Sequence, residues 1–360
     1  MFIFSHRNLC PAASCIFVLA LLFPGAANAG KVSQYKFKKT IQRSRVWHSV
    51  EIEKRDVLNG PAGKGSYQLG QTVPCKYEEK DPNNPLGGHS PKFPCWDASG
   101  TRLKVKYDPK ANPEVFGEIA GTRLFWALGF YAEKMYSVNI KCRNCPTDPW
   151  NDKGKQPRAT RSFDPATLQT RLVGENIYMT QWHGWAYKEL RWVKEKSGGS
   201  SKAEIEAFKL LAVFVNHGDN TSNQNRIVCF PGDEGCKSPI LMVTDLGSTF
   251  GGQGGTNFRH WEKRKIWKDA DACIANLEST DDDFDDPVIK ESGRKFLSEL
   301  LSRLSDKQIG DIFRSARMDV LGQQLPKIRI KGKARRVAVR DWVRVFKRRR
   351  KEISSAKCPS

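Results

Sequence analysis

Apolar residues recur at helical spacing in three stretches of the chain. Residues 201–215 place apolar side chains on one helix face, at positions 205, 208, 211, 212 and 215. Residues 112–128 predict a second helix, with Pro113 in its first turn. Residues 292–304 are amphipathic, and a capping box that begins at Ser305 predicts another helix directly after them.

Alternating apolar and polar residues predict strands, mainly in the first half. In residues 91–107, Leu103, Val105 and Tyr107 alternate with charged side chains, and residues 97–100 form a turn that ends in glycine. This segment is predicted to be a β-hairpin. Short apolar runs predict further strands at 136–140, 171–178, 227–229 and 240–243.

The order of these elements separates the chain into two halves. A β-rich part with one main helix comes first, and a mainly helical part with a small hairpin follows from about residue 180. The fold class is therefore predicted to be α+β with two lobes. The predicted divisions are a polar, strand-poor leader (30–85), a β-rich N-lobe (86–180), a helical C-lobe (181–326) and a basic C-terminal segment (327–360).

Residues 1–29 have the pattern of a targeting signal that is removed. A weakly basic start precedes an apolar run at 15–23, and small residues at 27 and 29 allow cleavage before Gly30. A helix over that apolar run spans about 14 Å, roughly half of a bilayer core, so a membrane anchor is not expected. We expect an exported protein, periplasmic or secreted, without a transmembrane anchor after signal removal.

Export changes what the cysteines are expected to do, because disulfides persist in oxidising compartments. Two of the ten cysteines lie in the signal and leave with it. Prolines follow the CxxC spacing of residues 142–145, which favours a stapled loop over a redox or zinc site. The predicted pairs are Cys142–Cys145, Cys229–Cys236 and Cys75–Cys95, with Cys273–Cys358 following by elimination.

Composition excludes a wholly disordered chain, since 39% of the residues are hydrophobic and 10% are aromatic. The net charge is +21, and residues 327–357 alone carry fourteen lysines and arginines. An apolar stripe in residues 335–353 predicts a basic amphipathic helix. Such a helix either binds polyanions (nucleic acid, anionic lipid or a wall polymer) or docks on the core with its charges in solvent. The sequence leaves both interpretations open.

Three polar clusters carry candidate chemistry. The first is Lys104 and Lys106 on the second strand of the hairpin, with Glu118 on the following helix. A partly buried lysine needs a counter-charge, which a glutamate one helix away can supply. The lysine can then hold a phosphate oxygen. Because Lys104 and Lys106 are two residues apart on a strand, they lie on the same face, and the sequence does not determine which of them contacts the phosphate.

The other two clusters lie in loops of the second half. Asp219 follows an apolar helix, and the amides of Gln224 and Asn225 come shortly after it. A carboxylate followed by amide carbonyls can orient a hydroxyl and help to hold Mg²⁺. Asp245 follows the strand at 240–243 and precedes Gly247, which suits a metal-binding carboxylate in a tight turn.

In chain order, lysine, glutamate, Asp219 and Asp245 give the parts needed for phosphoryl transfer in a protein-kinase-like fold. Residues 87–106 resemble the glycine-loop and strand-lysine region of HipA-type kinases. Residues 216–220 and 243–247 resemble the catalytic and metal loops of atypical kinases of the HipA, phosphoinositide and secretory-pathway types. Residues 118–130 resemble a helix of exported bacterial proteins that share this kinase-like core.

The resemblance implies a role for each matching residue. Asp219 is the expected catalytic base, and Asp245 is the expected ligand of a metal that bridges the phosphates. A lysine is expected to contact the phosphates, positioned by the glutamate, and the glycine loop to approach them through its backbone. The residues implied to bind the nucleotide are Lys106, Lys104, Glu118, Gly87, Gly88 and Ser90. The implied cofactors are ATP or another nucleotide, with Mg²⁺ or Mn²⁺.

One position departs from the family pattern. Gln224 stands where these families often have Asn, with Asn225 beside it, and the glycine loop is minimal. The predicted function is therefore an exported phosphotransferase that binds nucleotide and metal, with an unidentified acceptor. The alternative is a catalytically inactive, basic envelope protein, a pseudokinase or binding module, that binds polyanions through residues 327–357.

Overall fold

The computed structural model describes residues 30–360, apart from 64, 80–85, 89, 108–112, 171–172, 180, 182, 253, 281–283 and 331. The predicted targeting signal at 1–29 lies outside the described residues. Within them, no helix combines the length and the apolar character needed to cross a bilayer.

The predicted helices are present in the structure. The helices of the described residues are α1 (Gln34–Gln42), α2 (Glu114–Ala127), α3 (Lys202–Val215), α4 (Phe258–Lys263), α5 (Glu291–Ser302), α6 (Asp306–Ser315), α7 (Met318–Gln324) and α8 (Val339–Ser355). Apolar spacing correctly predicted α2, α3 and α5, and the capping box of Ser305 starts α6. A second reciprocal capping box, made by Ser201 and Glu204, starts α3.

The strands include all those that were predicted. They are β1 (Gly30–Lys31), β2 (Thr72–Tyr77), β3 (Lys92–Asp97), β4 (Arg102–Tyr107), β5 (Met135–Cys145), β6 (Ala159–Gln169), β7 (Glu175–Tyr178), β8 (Asn225–Cys229), β9 (Ile240–Val243), β10 (Trp267–Asp269), β11 (Ile274–Ala275), β12 (Ile328–Ile330) and β13 (Lys333–Arg335). The predicted hairpin is the antiparallel pair β3 and β4. Helices and strands together confirm the α+β class.

Five strands close into a barrel in the order β2-β3-β4-β6-β5, with its own apolar interior. β2 lies in the segment expected to be a strand-poor leader. Its buried residues Val73, Cys75 and Tyr77 alternate with exposed ones, a short pattern that the surrounding glycines and prolines obscure. β6 is also unpredicted from sequence, because within it only residues 165–168 are buried.

A second sheet has the order β1-β7-β8-β9. β7 pairs antiparallel with β8, with Ile177 opposite Ile227, although the predicted divisions place residues 175–178 in the N-lobe. Both isoleucines belong to a larger apolar core that also contains residues of α2 and α3. Burial of Ile177 in this core explains why β7 joins the second sheet.

The four predicted cysteine pairs are confirmed as disulfides. Cys75–Cys95 links β2 to β3, and Cys142–Cys145 lies at the end of β5. Cys229–Cys236 closes the loop after β8. Cys273–Cys358, which bridges a separation of 85 residues, ties the C-terminal residues to the larger core.

The basic C-terminal helix docks on the core, as one of the two interpretations predicts. Trp342 of α8 is buried, and the fully buried Arg349 donates to the carbonyls of Val213 and Phe214, each at 3.0 Å. These carbonyls lie in the last turn of α3, where helix carbonyls need external donors. α8 therefore has a structural role at the end of the helix that precedes Asp219.

Candidate active site

A buried ion pair joins the barrel to α2. Lys106 on β4 and Glu118 on α2 form a salt bridge, and their side chains are 2% and 0% exposed. Burial alone would lower the pKa of Lys106, but the carboxylates of Glu118 and Asp245 raise it above its usual value. Lys106 is therefore held as a cation. Lys104, two residues earlier, is only half-buried and lies outside this pair.

Asp245 follows β9 and lies next to the ion pair. Its Oδ1 is 3.4 Å from Lys106 Nζ, and the N–H of Leu246 donates to Glu118 Oε1 at 3.2 Å. Burial raises the pKa of Asp245, but the positive charges of Lys106 and Lys104 outweigh this and lower it. Because the Asp245 side chain is 39% exposed, an ionised carboxylate remains accessible.

Two glycines of α2 allow the loop of residues 245–249 to lie against the helix. A Cβ at Gly117 would lie 2.4 Å from the carbonyl oxygen of Gly247, and one at Gly121 would lie 2.9 Å from Leu246 Cβ. The hydroxyl of Thr249 donates to the carbonyl of Gly117 at 3.1 Å. The two glycines are four residues apart and share one helix face. Their lack of side chains keeps Glu118 within reach of the loop.

The loop of residues 216–220 carries Asp219 beyond the end of α3. Asn216 takes the left-handed conformation, with φ of 56°, and ends the helix. His217 is buried, and its Nδ1 lies 2.7 Å from the hydroxyl of Tyr187. The side-chain oxygen of Asn220 accepts from the N–H of Tyr187 at 3.2 Å. Asp219 itself is half-buried, in a loop that hydrogen bonds of His217 and Asn220 hold in place.

The carboxylates of Asp219 and Asp245 both affect the pKa values of His217 and Glu114. Burial lowers the pKa of His217, and the negative charges of Asp219 and Asp245 oppose this. Burial raises the pKa of Glu114, in the first turn of α2, and both aspartates raise it further. Since such interactions weaken with distance, the two loops meet in one region beside α2 and β4.

Gln224 and Asn225, the predicted amide ligands, are engaged locally. Gln224 Oε1 accepts from the N–H of Thr221 at 2.8 Å and from its hydroxyl at 3.0 Å. Asn225 Nδ2 donates to the carbonyl of Trp185 at 2.9 Å, while its Oδ1 is buried without a hydrogen-bond partner. Among the described residues, no group of three or more His, Cys, Asp or Glu side chains forms a ready metal site.

The predicted glycine loop, residues 87–91, leads into β3 beside the site. Gly88 has φ of +83°, and a Cβ there would lie 3.0 Å from Lys92 Nζ. Gly87 has open space around it, and Ser90 is buried. His89 lies outside the described residues. The backbone at Gly88 therefore comes close to a lysine that the sequence analysis did not select.

Sequence reasoning missed Lys92, Glu114 and Glu133. Lys92 lies opposite Lys106 in the β3–β4 register, which the predicted turn at 97–100 already fixes. The sequence therefore already contained the signal that places Lys92 beside Lys106. Glu114 looks in sequence like an ordinary acidic residue of a first helical turn. Glu133 precedes β5, and no local pattern indicates its burial.

Glu133 is expected to give the fold a pH dependence. Burial raises the pKa of Glu133 to about 8, against the positive charge of Lys104, which lowers it. The folded state then keeps a proton that the unfolded state releases above its ordinary pKa of 4.5. This contribution to stability is complete below pH 4.5 and is lost as the pH rises to about 8, by about 1.4 kcal/mol per pH unit.

The substitution Glu133→Gln should flatten this decline, because the amide does not titrate. Urea unfolding at pH 6 and pH 8 measures the change, and the exposed Glu195→Gln serves as the matched control. We expect the control to keep the wild-type dependence. An equally steep decline in Glu133→Gln would show that the Glu133 carboxyl is already ionised in the fold.

No family model and no curated protein matches this sequence. Among solved structures, the chain is similar to the proinflammatory kinase CtkA of Helicobacter pylori, at 11% identity over 77% of this chain and 92% of that chain, with a TM-score of 0.43. The Golgi casein kinase with Mn/ADP bound matches at 12% identity, over 79% and 73%, with a TM-score of 0.39. HipA of Shewanella oneidensis MR-1, in complex with HipB and operator DNA, matches at 12% identity, over 77% and 66%, with a TM-score of 0.33.

Proposed function

We propose that this protein is an exported atypical kinase that uses a nucleotide such as ATP, with Mg²⁺ or Mn²⁺, to phosphorylate an acceptor hydroxyl. The observation that carries the proposal is the connected set of Lys106, Glu118 and Asp245. A buried lysine is fixed by a helix glutamate, and that glutamate also binds the backbone after an accessible aspartate. This arrangement suits nucleotide phosphates and a divalent cation. We further propose a two-lobed kinase fold in which the barrel is the N-lobe.

The donor chemistry of the site fits a divalent cation. Mg²⁺ and Mn²⁺ prefer oxygen ligands, and Asp245 offers an accessible carboxylate whose pKa is lowered. Asn225 Oδ1 has no hydrogen-bond partner and retains acceptor capacity. Gln224 would have to release Thr221 before its oxygen could bind a metal. A cation held by Asp245 would supply positive charge to the phosphates.

The remaining residues position the reactants. Lys106, held by Glu118, would bind a phosphate oxygen through the donors that the ion pair leaves free. Asp219 would accept the proton of the acceptor hydroxyl. The bond from the acceptor oxygen to the γ-phosphorus forms as the bond to the bridging oxygen breaks, and ADP leaves. Glu118 would keep Lys106 and the backbone at Leu246 in a fixed relation through these events.

The cysteine pairs support export. Four disulfides in one chain are typical of an oxidising compartment rather than the cytosol. We therefore place the proposed kinase in the periplasm or outside the cell. The targeting signal at 1–29 stays a prediction.

The test is a thermal-shift and calorimetric measurement with ATP and Mg²⁺ or Mn²⁺ on the chain from residue 30. Wild type should be stabilised most when nucleotide and metal are both present, and Asp245→Asn should lose most of the shift that the metal adds. Asp319→Asn, an exposed substitution on α7, should behave as wild type. The proposal fails if no nucleotide stabilises the wild-type protein with any divalent metal.

Polyanion binding through residues 327–357 stays a prediction. Several cations of this segment already have internal partners: Arg335 pairs with Asp341, Arg344 with Glu262, and Lys347 with Asp306. Together with the buried Arg349, these contacts favour the docking interpretation of α8.

A further inference from the structure

Lys92 is a buried cation next to the ion pair of Lys106 and Glu118. It lies on β3 directly opposite Lys106 on β4, so both side chains point to the same face of the barrel wall. Lys92 is 6% exposed, yet its ammonium makes no hydrogen bond or ion pair with any residue that the structure describes. The ring of Trp150, 5.6 Å away, is its neighbour.

Three carboxylates lie near Lys92: the charge of Lys92 lowers the pKa of Glu114, and Glu118 and Asp245 are engaged by Lys106. Glu118 and Asp245 both contact Lys106, and their charges reach Lys92 only from a distance. Burial, together with the positive charges of Lys106 and Lys104, lowers the pKa of Lys92 to about 8. Burying a cation beside two others is costly unless an anion joins them. A bound anion would therefore relieve the repulsion among Lys92, Lys104 and Lys106.

The glycine loop lies directly against this ammonium. A Cβ at Gly88 would be 3.0 Å from Lys92 Nζ, and φ of +83° at Gly88 disfavours any side chain there. The absence of a side chain at this position lets the loop backbone lie close to the ammonium. Directly opposed residues of paired strands have Cβ atoms only about 4.5–5.5 Å apart, so one polyphosphate can contact both Lys92 and Lys106.

We propose that Lys92 is a second phosphate-binding residue of the site, and that the donor is a nucleotide with at least two phosphates, held between Lys92 and Lys106. This inference rests on the proposed kinase function and names the class of its donor. Lys106 is fixed by Glu118 before any ligand binds. Lys92 has no such partner among the described residues, and the phosphates would provide an anion for it.

Calorimetry with three probes tests the proposal: ADP with Mn²⁺, pyrophosphate alone and adenosine alone. Lys92→Met should weaken ADP and pyrophosphate about 10- to 100-fold, the range of a lost charge-assisted hydrogen bond, and should leave adenosine unchanged. Without ligand, Lys92→Met should melt at or above the wild-type temperature, because it removes a buried charge that forms no ion pair with any described residue. A purely structural lysine would give the opposite shift. Lys76→Met, exposed on β2, is the matched control.

The outcomes separate this proposal from the kinase proposal. If Lys92→Met binds ADP and pyrophosphate as tightly as wild type, Lys92 is not a phosphate ligand, although the nucleotide site stands. If wild type binds pyrophosphate through Lys92 but no nucleotide, the anion site stands and the kinase proposal fails. If wild type binds none of the probes, both fail. Lys92→Gln, which keeps a polar end, replaces the Met variant if that variant does not fold.

Discussion

Replacing Asp219 with Asn should reduce phosphoryl transfer by about 10²- to 10⁴-fold, the contribution of a general base, while nucleotide affinity stays close to wild type. Asn has nearly the shape of Asp but cannot accept the proton of an acceptor hydroxyl. His217, two residues before Asp219, and Asn220, directly after it, are buried and hydrogen-bonded, so the loop should keep its shape. Autophosphorylation followed by mass spectrometry, and ADP release from ATP, measure the rate.

Asp319→Asn on α7 gives the control, since it makes the same chemical change on an exposed surface. Undiminished transfer in Asp219→Asn would remove this residue from the mechanism. A wild-type protein that binds nucleotide but transfers nothing, even to water, would instead support the inactive, pseudokinase interpretation. The comparison therefore separates catalysis from binding.

Local sequence patterns predicted the elements whose signals are local. Apolar spacing located α3, and the turn at 97–100 located the β3–β4 hairpin. The same turn fixes which residues face each other, so the pairing of Lys92 with Lys106 follows from a register that the sequence already contained. The cysteine pairs followed from export, spacing and elimination.

Elements that depend on distant partners were harder to predict. β6 has a mostly exposed first half and becomes recognisable as a strand only through its pairing with β4 and β5. The sequence order assigns β7 to the first half of the chain, but its pairing with β8 places it in the second sheet. In both strands, tertiary contacts determine which strand each one pairs with, and no short window of sequence contains those contacts.

In the site as well, the sequence predicted residue types but not the surroundings of the side chains. The sequence indicated Lys104 or Lys106, together with Glu118 and Asp245, whose residue types suit phosphates and metal. It did not indicate that Glu133 and Lys92 are buried, because burial depends on chain segments far away in sequence. A candidate residue can be named from its type, but its charge state requires the fold.

The substitution Lys106→Met should destabilise the fold by about 3–5 kcal/mol at neutral pH, because it leaves Glu118 buried without its cation. The double variant Lys106→Met/Glu118→Gln should recover most of this loss, since no uncompensated charge remains. Both variants should bind nucleotide more weakly than wild type, because both lack one of the two proposed phosphate-binding lysines. Urea unfolding gives the free energies, and Lys141→Met, exposed on β5, is the control.

The pH dependence of the single variant identifies the cause of its instability. Without Lys106, burial would raise the pKa of Glu118 further above its usual value, so the folded state would take up a proton that the unfolded state lacks. The deficit of Lys106→Met should therefore shrink as the pH falls from 8 to 5, and the double variant should show no such change. A deficit that is constant with pH, or equal in the two variants, would mean that Lys106 stabilises the fold through packing rather than through its charge.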